Sequence, residues 1–154
     1  MIAVRVQTEP IDATDALAAL SAGRSDVGAV VTFTGLVRGD ADDRGDLVSL
    51  TLEHYPTMTE RALASIAAEA AARWPLTGGL VVHRVGRMVP GEAIVVVATA
   101  SAHRAAAFDA AEFLMDWLKT RAPFWKAEER AGGTTWVAAR ASDDSAAARW
   151  DGTG

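Results

Sequence analysis

Residues 80–100, LVVHRVGRM-VPG-EAIVVVATA, constrain the fold more than any other stretch. Two valine-rich runs flank Val89-Pro90-Gly91, a turn sequence in which proline presets φ and glycine tolerates the reversed backbone. An antiparallel hairpin is expected. Residues 2–8, IAVRVQT, alternate and predict a strand. Asp12 is placed to cap a short helix through DALAAL, which Gly23 ends. VGAVVTFTGLVR, 27–38, is β-branched and almost wholly apolar at its start. It predicts a buried central strand, with Gly35 marking a bulge or a close backbone approach. GDADDRGD, 39–46, is polar with two glycines and predicts a mobile loop. LVSLTLEHY, 47–55, alternates again.

Thr57-Met58-Thr59-Glu60 has the spacing of a capping box. The helix behind it carries Leu63, Ile66, Ala67, Ala70 and Trp74 at helical spacing, until Pro75 and Gly78-Gly79 end it. Ser101 is positioned to cap a helix running to about Arg121. Its expected stripe is Phe108, Ala111, Met115 and Leu118, and Pro123 stops it. FWKAEER and TTWVAAR, around Gly132-Gly133, predict a second hairpin. SDDSAAARW predicts a short terminal helix, with a frayed tail at 151–154. Strands outnumber helices and several are antiparallel. The expected fold is α+β, helices packed on mostly antiparallel strands, in one domain over residues 1–150.

Composition removes several kinds of function. The net charge of −5 argues against nucleic acid as a partner. No cysteine is present, so disulfides, thiolate metal sites and a cysteine nucleophile or persulfide are excluded on this chain. The start, MIAVRVQTEPID, has no apolar run behind a basic segment, and no stretch of about eighteen apolar residues occurs anywhere. Neither a signal peptide nor a membrane span is expected, and the default location is cytoplasmic. HExxH, GxxxxGK[ST] and GxSxG are all missing. His83 lies mid-strand with no second ligand at metal spacing, and His54 reads as a structural hydrogen-bonder. No metal and no cofactor are expected.

KTRAPFWK, 119–126, holds both lysines of the chain, and every other basic side chain except histidine is arginine. An ammonium can lose its proton when desolvated and act as base or nucleophile, which a guanidinium cannot do. Lys119 falls in a last helical turn, where the dipole and Asp116 already favour a cation. Lys126 lies beyond the proline beside Phe124 and Trp125, where partial burial would suit a lysine for proton transfer or acyl attack. Two further features suit an anion. SAHR, 101–104, brings His103 and Arg104 to a helix start whose free N–H groups attract negative charge. Arg38 ends a strand beside a glycine-containing loop. The alternative for each is a solvated side chain.

VGAVVTFTGLVR, LTLEHYPTMTERAL, HRVGRMVPGE, SAHRAAAFDA and MDWLKTRAPFWKAE, in that order, closely resemble the large, catalytic subunits of molybdopterin synthase. The match runs from about residue 26 to Trp150. The resemblance implies an α/β-hammerhead-like fold with additional antiparallel β-sheet. It implies sulfur transfer in molybdenum cofactor biosynthesis: cyclic pyranopterin monophosphate (precursor Z) becomes molybdopterin by gaining a dithiolene. The sulfur would come from the C-terminal Gly-Gly thiocarboxylate of a small ubiquitin-like subunit. Two large subunits would form a homodimer at the core of a heterotetramer. On the matching positions, Lys119 and Lys126 are implied as the catalytic pair. Leu36, Val37, Arg38, His103, Arg104, Ala127 and Glu128 are implied in substrate binding, with His103 and Arg104 reaching into the other subunit's site. Phe33, Met115 and Arg140 would shape the channel for the partner's tail. The acidic 39–46 segment departs from relatives, which often carry an Asn-rich loop there, and Leu36 stands where relatives can have a basic residue. Two other readings remain: a non-catalytic dimer that docks ubiquitin-like tails, and a Schiff-base lysine enzyme acting on a phosphorylated carbonyl compound.

Overall fold

A computed structural model describes residues 1–42, 44–137 and 141–151, and among these the chain forms nine strands and four helices. The 80–100 stretch becomes the centre of the first sheet. β5 (Leu76–Arg84) and β7 (Ala93–Ser101) pair antiparallel, β1 (Ile2–Gln7) joins β5 in parallel, and β2 (Ala29–Leu36) closes the other edge against β7. β7 is buried on both faces, which explains its unbroken apolar run. Its Val95 and Val97 meet α2 (Pro56–Arg73) and α3 (Arg104–Arg121) on one side, while Val96, Ala98 and Ala100 meet α1 (Ala13–Ser21) on the other. Asp12 caps α1 as expected, accepting from the Thr14 N–H at 2.9 Å. The resulting hydrogen bonds hold its carboxyl below the usual range.

The second sheet runs β3 (Ala41–Asp42), β4 (Gly45–His54), β8 (Phe124–Arg130), β9 (Gly133–Val137), with β6 (Gly86–Met88) also paired to β4. Gly86, at φ 91°, turns the chain out of the first sheet so that β6 joins the second. A third cluster, built on Val37, Leu50, Leu52 and Met88, fills the junction. α4 (Ala141–Ala148) follows on the far side, and Trp150 packs edge-on against Trp74 and Phe113.

Several expectations change. The 27–38 strand is not central: β2 lies at a sheet edge with Phe33 42% exposed, because no further strand among the described residues pairs with its outer edge. Gly35 does mark an irregularity. Register shifts between Gly35 and Leu36, and a Cβ at Gly35 would sit 2.9 Å from the Val95 side chain. The expected loop over 39–46 is a tight hairpin, with Gly45 at φ 96°. The capping box is not formed. α2 starts at Pro56, whose fixed φ suits a first helical position, and buried Thr59 donates instead to the Pro123 carbonyl. Trp74 is the cap residue of α2 rather than part of its face, and Gly78-Gly79 lie inside β5. Ser101 is a strand residue, and His103 occupies the cap position of α3. The buried face of α3 is Ala107, Ala110, Phe113, Leu114 and Trp117, with Ala111 and Leu118 at its border and Phe108 facing solvent.

Candidate functional site

α3 ends at Arg121, and the Phe124 N–H donates to the Ala122 carbonyl at 2.9 Å across Pro123. That turn folds β8 back beneath the end of the helix. Side chains alternate along β8. Phe124, Lys126, Glu128 and Arg130 all face a cavity of about 640 Å³, within the size range of small-ligand sites. Lys119 and Met115 enter the same cavity from the last turns of α3, and the end of β2 with Val37 and Arg38 forms its opposite wall. The seven-residue spacing of the lysines therefore spans a helix end and a strand start, and brings both to one space.

Charge around the cavity is layered. Glu128 accepts from Arg44 and from Arg130, each at 3.1 Å. Arg130, nearly buried, also donates to the carbonyls of Asp40 and Gly45 at 3.0 and 2.9 Å. A guanidinium is tolerated there because two carboxylates and two carbonyls neutralise it. These bonds fasten the β3–β4 hairpin over β8. The Asp42 carboxyl is held below its usual range, first by the Arg44 side chain and then by the Arg44 N–H. Arg38 is two-thirds exposed and, among the described residues, pairs only with exposed Asp40 at 3.2 Å, so it can turn toward a ligand at little cost.

His83 of β5 also lines the cavity. Its ring stacks on Phe124 with centroids 4.0 Å apart, and its Nδ1 lies 3.0 Å from the Arg84 carbonyl. Burial, with the charges of Lys119 and His54 adding to it, pushes its pKa down to about 4. The ring is neutral at physiological pH.

The sequence-derived residues divide into four groups. Phe33, Leu36, Val37, Arg38, Met115, Lys119, Lys126 and Glu128 all border the cavity. Ala127 does not: alternation turns it to the opposite face of β8, where it is buried. His103 and Arg104 are exposed at the other end of α3, about 22 Å from Lys119 at 1.5 Å per residue. Arg140 lies outside the described residues. Sequence reasoning missed Arg44, Arg130 and His83 as cavity residues. The signal for His83 was a histidine inside an otherwise apolar buried strand. Arg44 and Arg130 had no local signal, because the hairpin that unites them is tertiary. Among the described residues no cluster of three or more His, Asp or Glu is placed to hold a metal, and no helix is long and apolar enough to cross a membrane.

A family model described as MoaE protein matches residues 6–121. The molybdopterin synthase catalytic subunit of Mesorhizobium japonicum is 56% identical over 149 residues, covering 96% of this chain and 92% of that protein. Among solved structures, the molybdopterin biosynthesis MoaE protein from Burkholderia ambifaria superposes with a TM-score of 0.82 at 49% identity, covering 97% of this chain and 98% of the other. Molybdopterin synthase from Staphylococcus aureus gives 0.80 at 32% identity, with 86% and 95% covered.

Proposed function

This chain belongs to the MoaE family, the catalytic subunits of molybdopterin synthase, and we propose that the cavity between α3 and β8 is where it transfers sulfur to its pterin substrate. The activity belongs to molybdenum cofactor biosynthesis, and the catalytic subunit works with a small partner subunit. Without cysteine on this chain, sulfur has to arrive on that partner, as the C-terminal Gly-Gly thiocarboxylate of a ubiquitin-like protein. The one observation that carries the reading is the meeting of the only two lysines at a single cavity.

In this reading the thiocarboxylate sulfur adds to the pterin, water then attacks the acyl carbon so that the C–S bond breaks and the partner leaves with a free carboxylate, and Lys119 donates to the acyl oxygen and stabilises the charge that develops there. Lys126, on the floor beside Glu128, exchanges a proton with the pterin as sulfur adds. Arg38 pairs with the substrate's phosphate. Leu36 and Val37 form the wall behind it. Phe33 and Met115 guide the partner's tail, with Arg140 as a further candidate. Each donor carries one sulfur, so two small subunits are consumed per dithiolene.

His103 and Arg104 cannot reach their own cavity, so their role requires a second copy of the chain. Two observations support a covered surface at that end of α3. Neither side chain has a hydrogen-bond partner among the described residues, and Phe108, one turn further on, is 59% exposed. A homodimer that brings this end to the neighbouring cavity gives both cations a phosphate to bind. A cytoplasmic location goes with the same reading.

Reconstitution tests it. The chain is mixed with thiocarboxylated small subunit and precursor Z, and the dithiolene product is quantified. Product from the wild-type chain supports the assignment. A partner that binds without product formation favours the tail-docking module instead. A borohydride-trapped adduct of a small carbonyl substrate on Lys119, without partner, favours the Schiff-base enzyme.

A further inference from the structure

Arg130 ends β8 as a nearly buried cation on the cavity wall, and the reaction outlined above gives it no task. Its guanidinium works in two directions. Nε meets the Glu128 carboxylate at 3.1 Å and the Asp42 carboxylate at 3.4 Å. Nη1 donates to the carbonyls of Asp40 and Gly45 at 3.0 and 2.9 Å. Those carbonyls lie one on each arm of the β3–β4 hairpin, where Asp42 pairs with Gly45. A planar fork holds both arms and both carboxylates together, which the single point charge of a lysine does not. Arg44 bridges the same two carboxylates from the hairpin side, at 2.8 and 3.1 Å, but is far more exposed than Arg130.

The chain that runs into this hairpin carries Arg38, and its backbone is held on both sides. Before it, the Val37 N–H donates to the Glu92 carbonyl at 2.9 Å, and the Val37 carbonyl accepts from the Gly91 N–H at 2.8 Å. A Cβ at Gly39 would sit 3.0 Å from the Pro90 side chain, so the strand end lies directly against the 89–91 turn. After it, Asp40 is tied to β8 through its carbonyl by Arg130. Asp40 is also the residue whose carboxylate pairs with Arg38.

We propose that Arg130 is a positioning residue for Arg38: by pinning both arms of the hairpin onto β8, it fixes the rim from which Arg38 reaches the substrate's phosphate. Without the guanidinium, Asp42 and Glu128 lose a charge that holds them together, and the arms lose both carbonyl contacts. Arg38 then keeps its charge but not its place. The inference rests on Arg38 binding that phosphate, but the pinning can be tested without substrate.

Hydrogen exchange on the chain alone tests the pinning. In Arg130→Met, amides of the β3–β4 hairpin are expected to exchange about tenfold faster, while those of β5 and β7 keep their protection. Arg44→Met, at the exposed partner, has a smaller effect. Reconstituted synthesis tests the role. Arg130→Met is expected to raise KM for precursor Z about tenfold, with kcat within a few-fold and KM for the small subunit unchanged. Arg130→Lys falls between wild type and Arg130→Met, and carries both tests if the methionine variant does not fold. A double-mutant cycle identifies the residue through which Arg130 acts. On an Arg38→Ala background Arg130→Met should add less than about twofold, whereas on a Glu128→Gln background its full effect persists. Unchanged hairpin exchange in a folded variant overturns the proposal, whatever the activity. So does faster exchange with an unchanged KM. A full effect on the Arg38→Ala background also overturns it, and an effect that vanishes with Glu128→Gln would assign Arg130 to Glu128 instead. An inactive wild type would overturn the phosphate role together with the reading it rests on, while the exchange result still decides the pinning.

Discussion

The two ends of α3 carry the same kind of side chain in opposite settings. At the C-terminal end, Lys119 projects into a cavity already walled by β2, β8 and the β3–β4 hairpin. At the N-terminal end, His103 and Arg104 stand in solvent beside exposed Phe108. One end is a formed pocket in which Arg44 and Arg130 are engaged by Asp42 and Glu128 while Arg38 and Lys119 face the cavity. The other offers exposed cations with no hydrogen-bond partner among the described residues. The difference teaches that one helix can carry cationic groups too far apart to serve one ligand, and in the proposed reading this is what makes a second copy of the chain part of the chemistry.

That contrast can be broken in graded ways. The largest effect is expected at the formed end. Lys119→Ala or Lys126→Ala should lower synthesis by about 100-fold or more, with circular dichroism unchanged. Loss of the fold in either variant would void the comparison and call for Lys→Met instead. Next comes acid stability. The His83 pKa is lowered, so the unfolded chain binds the extra proton between about pH 6.5 and 4 while the native chain does not. Stability contributed by the neutral ring is present above pH 6.5 and lost as pH falls toward 4, by about 3 kcal/mol at most. Denaturant unfolding of wild type against His83→Phe isolates this part from the carboxylates; parallel pH curves would contradict it. At the open end, Arg104→Ala should cost about tenfold in kcat/KM, or about 1.4 kcal/mol, with melting unchanged, since the side chain is exposed and has no hydrogen bond or ion pair to any described residue. The smallest effect is expected for Asp40→Asn. It breaks an exposed ion pair with Arg38 and should change stability by less than about 0.5 kcal/mol.

The gathering of Lys119, Lys126 and Arg38 at one cavity and the antiparallel pairing within 80–100 were legible because each depends on local spacing or on a long matching motif. The face of α3 was not. Alanine at 105–107, 110 and 111 fits several helical faces equally well, so the stripe through Phe108 and Met115 was as periodic as the true one through Phe113, Leu114 and Trp117. Packing against Val95 and Val97 decided between them. β2 reads as a central strand because its apolar side chains match one. It lies at an edge, and its exposed Phe33 and Leu36 border the cavity instead of a core. The β3–β4 hairpin was hidden for a different reason. Its closure depends on Arg130, which is ninety residues from Asp40 along the chain.

The measurement that bears most directly on the two-ended account is complementation between copies. Lys126→Ala and Arg104→Ala chains are each assayed alone, then mixed under conditions that exchange subunits. If each cavity takes its arginine from the neighbour, half of the sites in every mixed dimer are intact. Random exchange should then restore roughly a quarter of wild-type synthesis. A mixture no more active than the average of its parents would contradict the account, and would mean that the far end of α3 belongs to some other surface of the molecule.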